Sequence, residues 1–116
     1  MSPSSGSGAP GPTLDDLGED GVLERVFARL PRAGEEVLVG PGDDAAVLRG
    51  PHPLLVSTDT LVRGRDWRDE WSRPQDVGAK AVVQNLADLA AMGGCGSGLL
   101  VTLVLAGSLP VAWAEG

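Results

Sequence analysis

The sequence predicts an α+β domain in which helices cover one face of a mixed or antiparallel sheet, and three observations carry the prediction. An amphipathic helical stretch stands near the start, several short β-prone runs cut by Gly and Pro follow it, and a long Ala-rich helix then leads into a branched apolar run. Helix, strands, helix, strand is the order of a layered α+β unit.

Met1 to Pro12 reads MSPSSGSGAPGP, too poor in apolar residues to offset its ordering entropy. Residues 1–16 are therefore assigned to a disordered tail and 17–116 to one domain. From Glu19 to Leu30, Val22, Leu23, Val26, Phe27 and Leu30 fall at the spacing of one helix face. Glu19 and Asp20 suit the positive N-terminal end, and Pro31 stops the helix because it cannot continue the hydrogen-bond ladder. Val37 to Val39 and Ala45 to Leu48 are short strand candidates separated by the turn Gly40-Pro41-Gly42-Asp43, and Leu54 to Ser57 is a third. Leu61 to Pro74 is polar around Trp67 and Trp71 and reads as a surface loop anchored by its tryptophans. Asp76 to Met92 is the clearest helix, with Asp76 as N-cap and Gly93 ending it. Leu99 to Leu105, LLVTLVL, reads as a buried strand, and a further element starts near Pro110-Val111-Ala112-Trp113. With few aromatics in 116 residues the core is thin, so a dimer partner or a second domain is expected to complete it.

The net charge of −7 comes with no basic stripe of the kind that neutralises a nucleic-acid backbone, which excludes nucleic acid as a partner. No apolar run approaches the roughly 18 residues of a membrane span, and the start lacks the features of a signal peptide, so a cytoplasmic protein without membrane association is expected. An acidic chain repels bare polyphosphate, so a phosphate substrate would arrive with divalent cations. Cys95, the single cysteine, sits in a glycine-rich turn, and His52, the single histidine, lies between Pro51 and Pro53. Neither belongs to a nucleophilic constellation, and no GxxxxGK[ST] phosphate cradle is present.

What remains is acidic. Gly42-Asp43-Asp44, Ser57-Thr58-Asp59-Thr60 and Asp88 in Asn85-Leu86-Ala87-Asp88 each place hard oxygens at a turn or on a helix. An Asp at a turn ordinarily caps a backbone amide, and Asp43 taken alone fits that role. Asp88 lies in the apolar stretch LADLAAMGG, where a carboxylate is costly unless paired or bound to a cation. Mg²⁺ uses one or two protein carboxylates per ion, with waters and substrate phosphates completing the octahedron. Separated acidic segments could thus hold several ions for phosphoryl transfer, which needs alignment and charge neutralisation more than covalent chemistry.

The strings GDDAAVL (Gly42 to Leu48), VSTDTLVRGRDW (Val56 to Trp67) and GAKAVVQNLADLAAMGG (Gly78 to Gly94) resemble, in order and spacing, the signature segments of the thiamine-monophosphate kinases. The resemblance extends from Leu17 to the C-terminus. It implies the N-terminal domain of the aminoimidazole ribonucleotide synthetase-like fold, dimerising through its sheet. It further implies transfer of the ATP γ-phosphate onto thiamine monophosphate with Mg²⁺, giving thiamine diphosphate. By resemblance Asp44, Ser57, Thr58, Asp59 and Asp88 are metal ligands, and Asp43 is a lesser candidate. The family's G-x-H-F segment, whose histidine touches substrate, is here Gly64-Arg65-Asp66-Trp67, so Asp66 takes the substrate-binding position with opposite character. The family's further ATP-binding segments and second domain lie beyond Gly116, so this chain is expected to be an incomplete and inactive part. Two alternatives stay open: a kinase or synthetase of the same superfamily acting on another acceptor, and a non-catalytic dimerisation or binding fragment.

Overall fold

The computed structural model describes residues 11–42, 44–50 and 53–116. The elements run α1 (Leu14–Arg29), β1 (Val37–Val39), β2 (Val47–Leu48), α2 (Pro74–Ala91) and α3 (Val111–Glu115). They divide between two compact units, one within Met1–Leu30 and Leu103–Gly116, the other Pro31–Thr102.

In the first unit, α1 begins earlier than the apolar periodicity suggests, because a capping box forms ahead of it. The Thr13 hydroxyl accepts from the Asp16 amide at 3.3 Å, and the Asp16 carboxylate accepts from the Thr13 amide and hydroxyl, each at 2.8 Å. Thr13 to Asp16, assigned to the tail on composition, are therefore the cap and first turn of this helix. The next free amides are satisfied from the chain's other end: Leu14 donates to the Leu109 carbonyl at 2.8 Å and Asp15 to that of Gly107 at 2.9 Å. The helix kinks at Gly18, which has φ 68° and ψ 176°. Leu30 ends it in extended conformation, as the residue before a proline must. Val111, at the start of α3, is 1% exposed, and Arg29 pairs with Glu115 at 3.5 Å.

In the second unit, β1 and β2 pair antiparallel, Val37 opposite Leu48 and Val39 opposite Val47, with an irregularity between. These are the only strands among the described residues. The larger sheet expected from the sequence is corrected on two counts. Leu54 to Ser57 forms no strand, and Leu99 to Leu105 is neither strand nor buried, with Leu100 and Val104 each 91% exposed. β-propensity describes fit to a half-buried pleated surface, and a run without a neighbouring backbone to bond gains nothing from it. The core is correspondingly thin: Trp67 and Val111 are the buried apolar residues among those described.

The polar stretch 61–73 is a surface loop closed by its own backbone. Gly64, at φ 84°, donates to the Trp67 carbonyl at 2.7 Å, while Arg65 and Asp66 both donate to the Val62 carbonyl. Only one of its tryptophans anchors it. Trp67 is 7% exposed beneath the Arg63 guanidinium, 5.8 Å from the ring centre, whereas Trp71 is 72% exposed with Arg68 stacked on it. Arg63 also pairs with Asp69.

α2 starts two residues before the expected Asp76. Arg73 is the N-cap, Pro74 holds the first position, and Asp76 is the third helical residue. Its carboxylate reaches back to the Arg73 amide at 2.9 Å and to the guanidinium at 3.1 Å, doing from inside the helix what was expected from the cap. Gly93 ends the helix as read from the sequence. It adopts φ 80°, and the Gly93 and Gly94 amides donate to Ala90 and Leu89 at 3.0 and 2.9 Å, a Schellman closure.

Candidate functional site

Ser57, Thr58 and Asp59 lie in an exposed segment without regular secondary structure, entering the 61–73 loop. Asp59 is held on both carboxylate oxygens. One carboxylate oxygen accepts from the Thr60 amide at 2.8 Å, and the other accepts from the side-chain amide of Gln84 on α2. Two donors therefore fix the carboxylate, while each oxygen keeps a lone pair for another partner.

α2 touches this region along one stripe. Lys80 donates to the Asp66 carbonyl at 2.7 Å, Gln84 to Asp59, and Asp88 stands one further turn along the same face. The apolar context of Asp88 suggested a costly buried charge, yet Asp88 is exposed, and that cost argument does not apply. Val77, Ala81, Gln84, Asn85 and Leu89 of α2 are half-buried, while Asp88 is exposed. Asp44 is exposed in the stretch after the glycine turn. Asp43 and His52 fall outside the described residues.

Asp66 is committed to its own loop. Its carboxylate accepts from the Val62 amide at 2.7 Å, its amide donates to the Val62 carbonyl at 2.8 Å, and its carbonyl takes the Lys80 ammonium. The position that the resemblance assigns to substrate thus carries an acid occupied in closing a turn.

The structure brings Ser57, Thr58 and Asp59 together and ties them to α2. Among the described residues no three acids, histidines or cysteines gather as a metal cage. The five candidate ligands are nonetheless all exposed, hard-oxygen residues, a donor set that suits Mg²⁺ shared with water and phosphate. Lys80 and Gln84 were missed on sequence. Their signal was available: with Asp88 they form a polar i, i+4, i+8 stripe on an otherwise Ala-rich helix.

Residues 42–116 match the family described as AIR synthase related protein, N-terminal domain, and the chain belongs to that family. Its similarity to individual proteins is narrower. It is 45% identical to the thiamine-monophosphate kinase of Mycobacterium tuberculosis over 90% of this chain and 31% of that enzyme. It is 42% identical to that of Corynebacterium glutamicum over 91% of this chain and 31% of the relative. With the Escherichia coli K12 enzyme the identity is 39% over 84% of this chain and 30% of the relative. The chain thus spans less than a third of the length of these relatives. No solved structure matches it. No helix among the described residues is long and apolar enough to cross a membrane.

Proposed function

We propose that the chain is the N-terminal, metal-holding part of a cytoplasmic enzyme that phosphorylates thiamine monophosphate to thiamine diphosphate with ATP and Mg²⁺. The observation carrying this reading is the similarity, over nearly the whole chain, to proteins named thiamine-monophosphate kinase. Asp44, Ser57, Thr58, Asp59 and Asp88 would hold Mg²⁺, which when bound neutralises the charge that phosphoryl transfer spreads over oxygens. Asp59, fixed by Thr60 and Gln84, offers a carboxylate whose orientation is set before any ligand arrives. The Lys80 contact holds the adjoining loop against α2, so that Ser57 to Asp59 enter the site from a braced segment. The exposed apolar run of Leu99 to Leu105 supports completion by a second protomer, as a homodimer.

The engagement of Asp66 favours a second reading, in which the same metal half serves a different phosphorylated acceptor. Both readings are tested on the full-length product of the reading frame that contains this chain. Thiamine monophosphate, ATP and Mg²⁺ are expected to give thiamine diphosphate, with Asp59→Asn or Asp88→Asn removing most of the rate. No product from this acceptor, with turnover of another phosphorylated compound, would establish the second reading. No phosphoryl transfer to any acceptor would leave the binding-fragment alternative.

A further inference from the structure

We infer that Gln84 is a positioning residue for metal binding: its side-chain amide fixes the Asp59 carboxylate with its free lone pairs presented to a divalent cation. The inference rests on the reading of Asp59 as a ligand and deepens it.

Gln84 stands in the middle of α2 on its half-buried face, in an Ala- and Val-rich stretch where an apolar residue would serve packing as well. Its amide is nevertheless directed at a residue 25 positions earlier in the chain. The polarity of the contact is fixed by chemistry, because the amide oxygen turned towards a carboxylate would set two acceptors against each other. Nε2 must face Asp59. The second Asp59 oxygen is occupied by the neighbouring Thr60 amide, a bond within the segment that leaves the segment free to swing as a whole. Gln84 supplies the tie to a rigid element.

An exposed aspartate otherwise samples several rotamers, and a cation must order it on binding. A carboxylate bonded on both oxygens has lost that freedom beforehand. Outer partners of this kind orient metal ligands, and their removal costs roughly 10- to 100-fold in metal affinity. The placement also matters. Gln84 and Asp88 are one turn apart on α2, so holding Asp59 at Gln84 brings its carboxylate beside the helix face that carries Asp88. Two acids from distant parts of the sequence are thereby presented from one side, with no contact between them required.

The test uses Mn²⁺ alone, titrated into the full-length product of the reading frame that contains this chain and followed by the electron paramagnetic resonance signal of the free ion. Gln84→Met, close in length and without a donor, is expected to weaken Mn²⁺ binding roughly 10-fold or more. Its urea midpoint is expected to stay near wild type. Asp59→Asn should weaken binding at least as much, and Gln84→Met added to Asp59→Asn should cost nothing further. This non-additivity separates positioning from a general loosening of the fold, which would lower affinity in both backgrounds. If Asp59→Asn weakens binding and Gln84→Met does not, or if the two losses add, the positioning role is overturned while the metal reading stands. If the wild type binds no Mn²⁺, or Asp59→Asn leaves binding unchanged, the metal reading fails and takes the role of Gln84 with it.

Discussion

Trp67→Ala should unfold the second unit far more readily than Trp71→Ala, although the two tryptophans stand four residues apart in the same loop. Trp67 is 7% exposed and Trp71 is 72% exposed. Burying a tryptophan removes about 200 Å² from water, which at about 25 cal/mol per Å² amounts to roughly 5 kcal/mol as an upper estimate. Truncation of buried aromatic residues costs about 3–5 kcal/mol, so about 4 kcal/mol is expected at Trp67. Trp71 keeps mostly its stacking with Arg68, worth up to about 1 kcal/mol on a surface. With a urea slope near 2 kcal/mol per molar, the midpoint should fall by about 2 M for Trp67→Ala and by about 0.5 M or less for Trp71→Ala. Urea melts followed by far-ultraviolet circular dichroism avoid the lost fluorophore. Equal shifts for the two variants would refute the assignment of Trp67 as the anchor of this unit.

Other outcomes follow from single contacts. Bonds from the Thr13 backbone and hydroxyl hold Asp16 below its ordinary carboxylate pKa of 3.8, and bonds from the Arg73 side chain and backbone do the same for Asp76. A depressed folded-state value stabilises above the unfolded value and is lost as pH falls through the folded one. Helical dichroism should therefore weaken as pH drops below about 4, and Asp16→Asn with Asp76→Asn should flatten that part of the titration. Gly93→Ala, at φ 80° in the closure of α2, should cost about 1 kcal/mol, read as a lower thermal midpoint.

Both long helices were legible because their signals are local. The apolar periodicity of Val22 to Leu30, the proline at 31 and the glycine at 93 act within a few residues, and the structure obeys each of them. Their starts were misplaced for an equally local reason. Thr13 and Arg73 cap helices whose first turns carry little apolar pattern, and in both an acid three residues on bonds back to the cap. Strands are not local. Leu54 to Ser57 and Leu99 to Leu105 have the composition of strands, but pairing depends on a backbone elsewhere, and composition cannot supply it. At the site the acids were visible one by one, while the residues that hold them were not. The bond from Gln84 to Asp59 joins segments that only the fold brings within reach.

The triple engagement of Asp66 uses its carboxylate once and its backbone twice. Val62 contributes both halves of its peptide hydrogen bonding to this residue, and Lys80, the only lysine in the chain, spends its ammonium on the Asp66 carbonyl. Placing at 66 the histidine that the resemblance implies would disturb the loop itself. The imidazole would inherit a turn shaped around a short acceptor, leaving the Val62 amide without its carboxylate. The carboxylate of Asp66 and the ammonium of Lys80 brace the same loop through different atoms, so an exchange at 66 forfeits the Val62 contact and leaves the Lys80 bond to the backbone carbonyl in place.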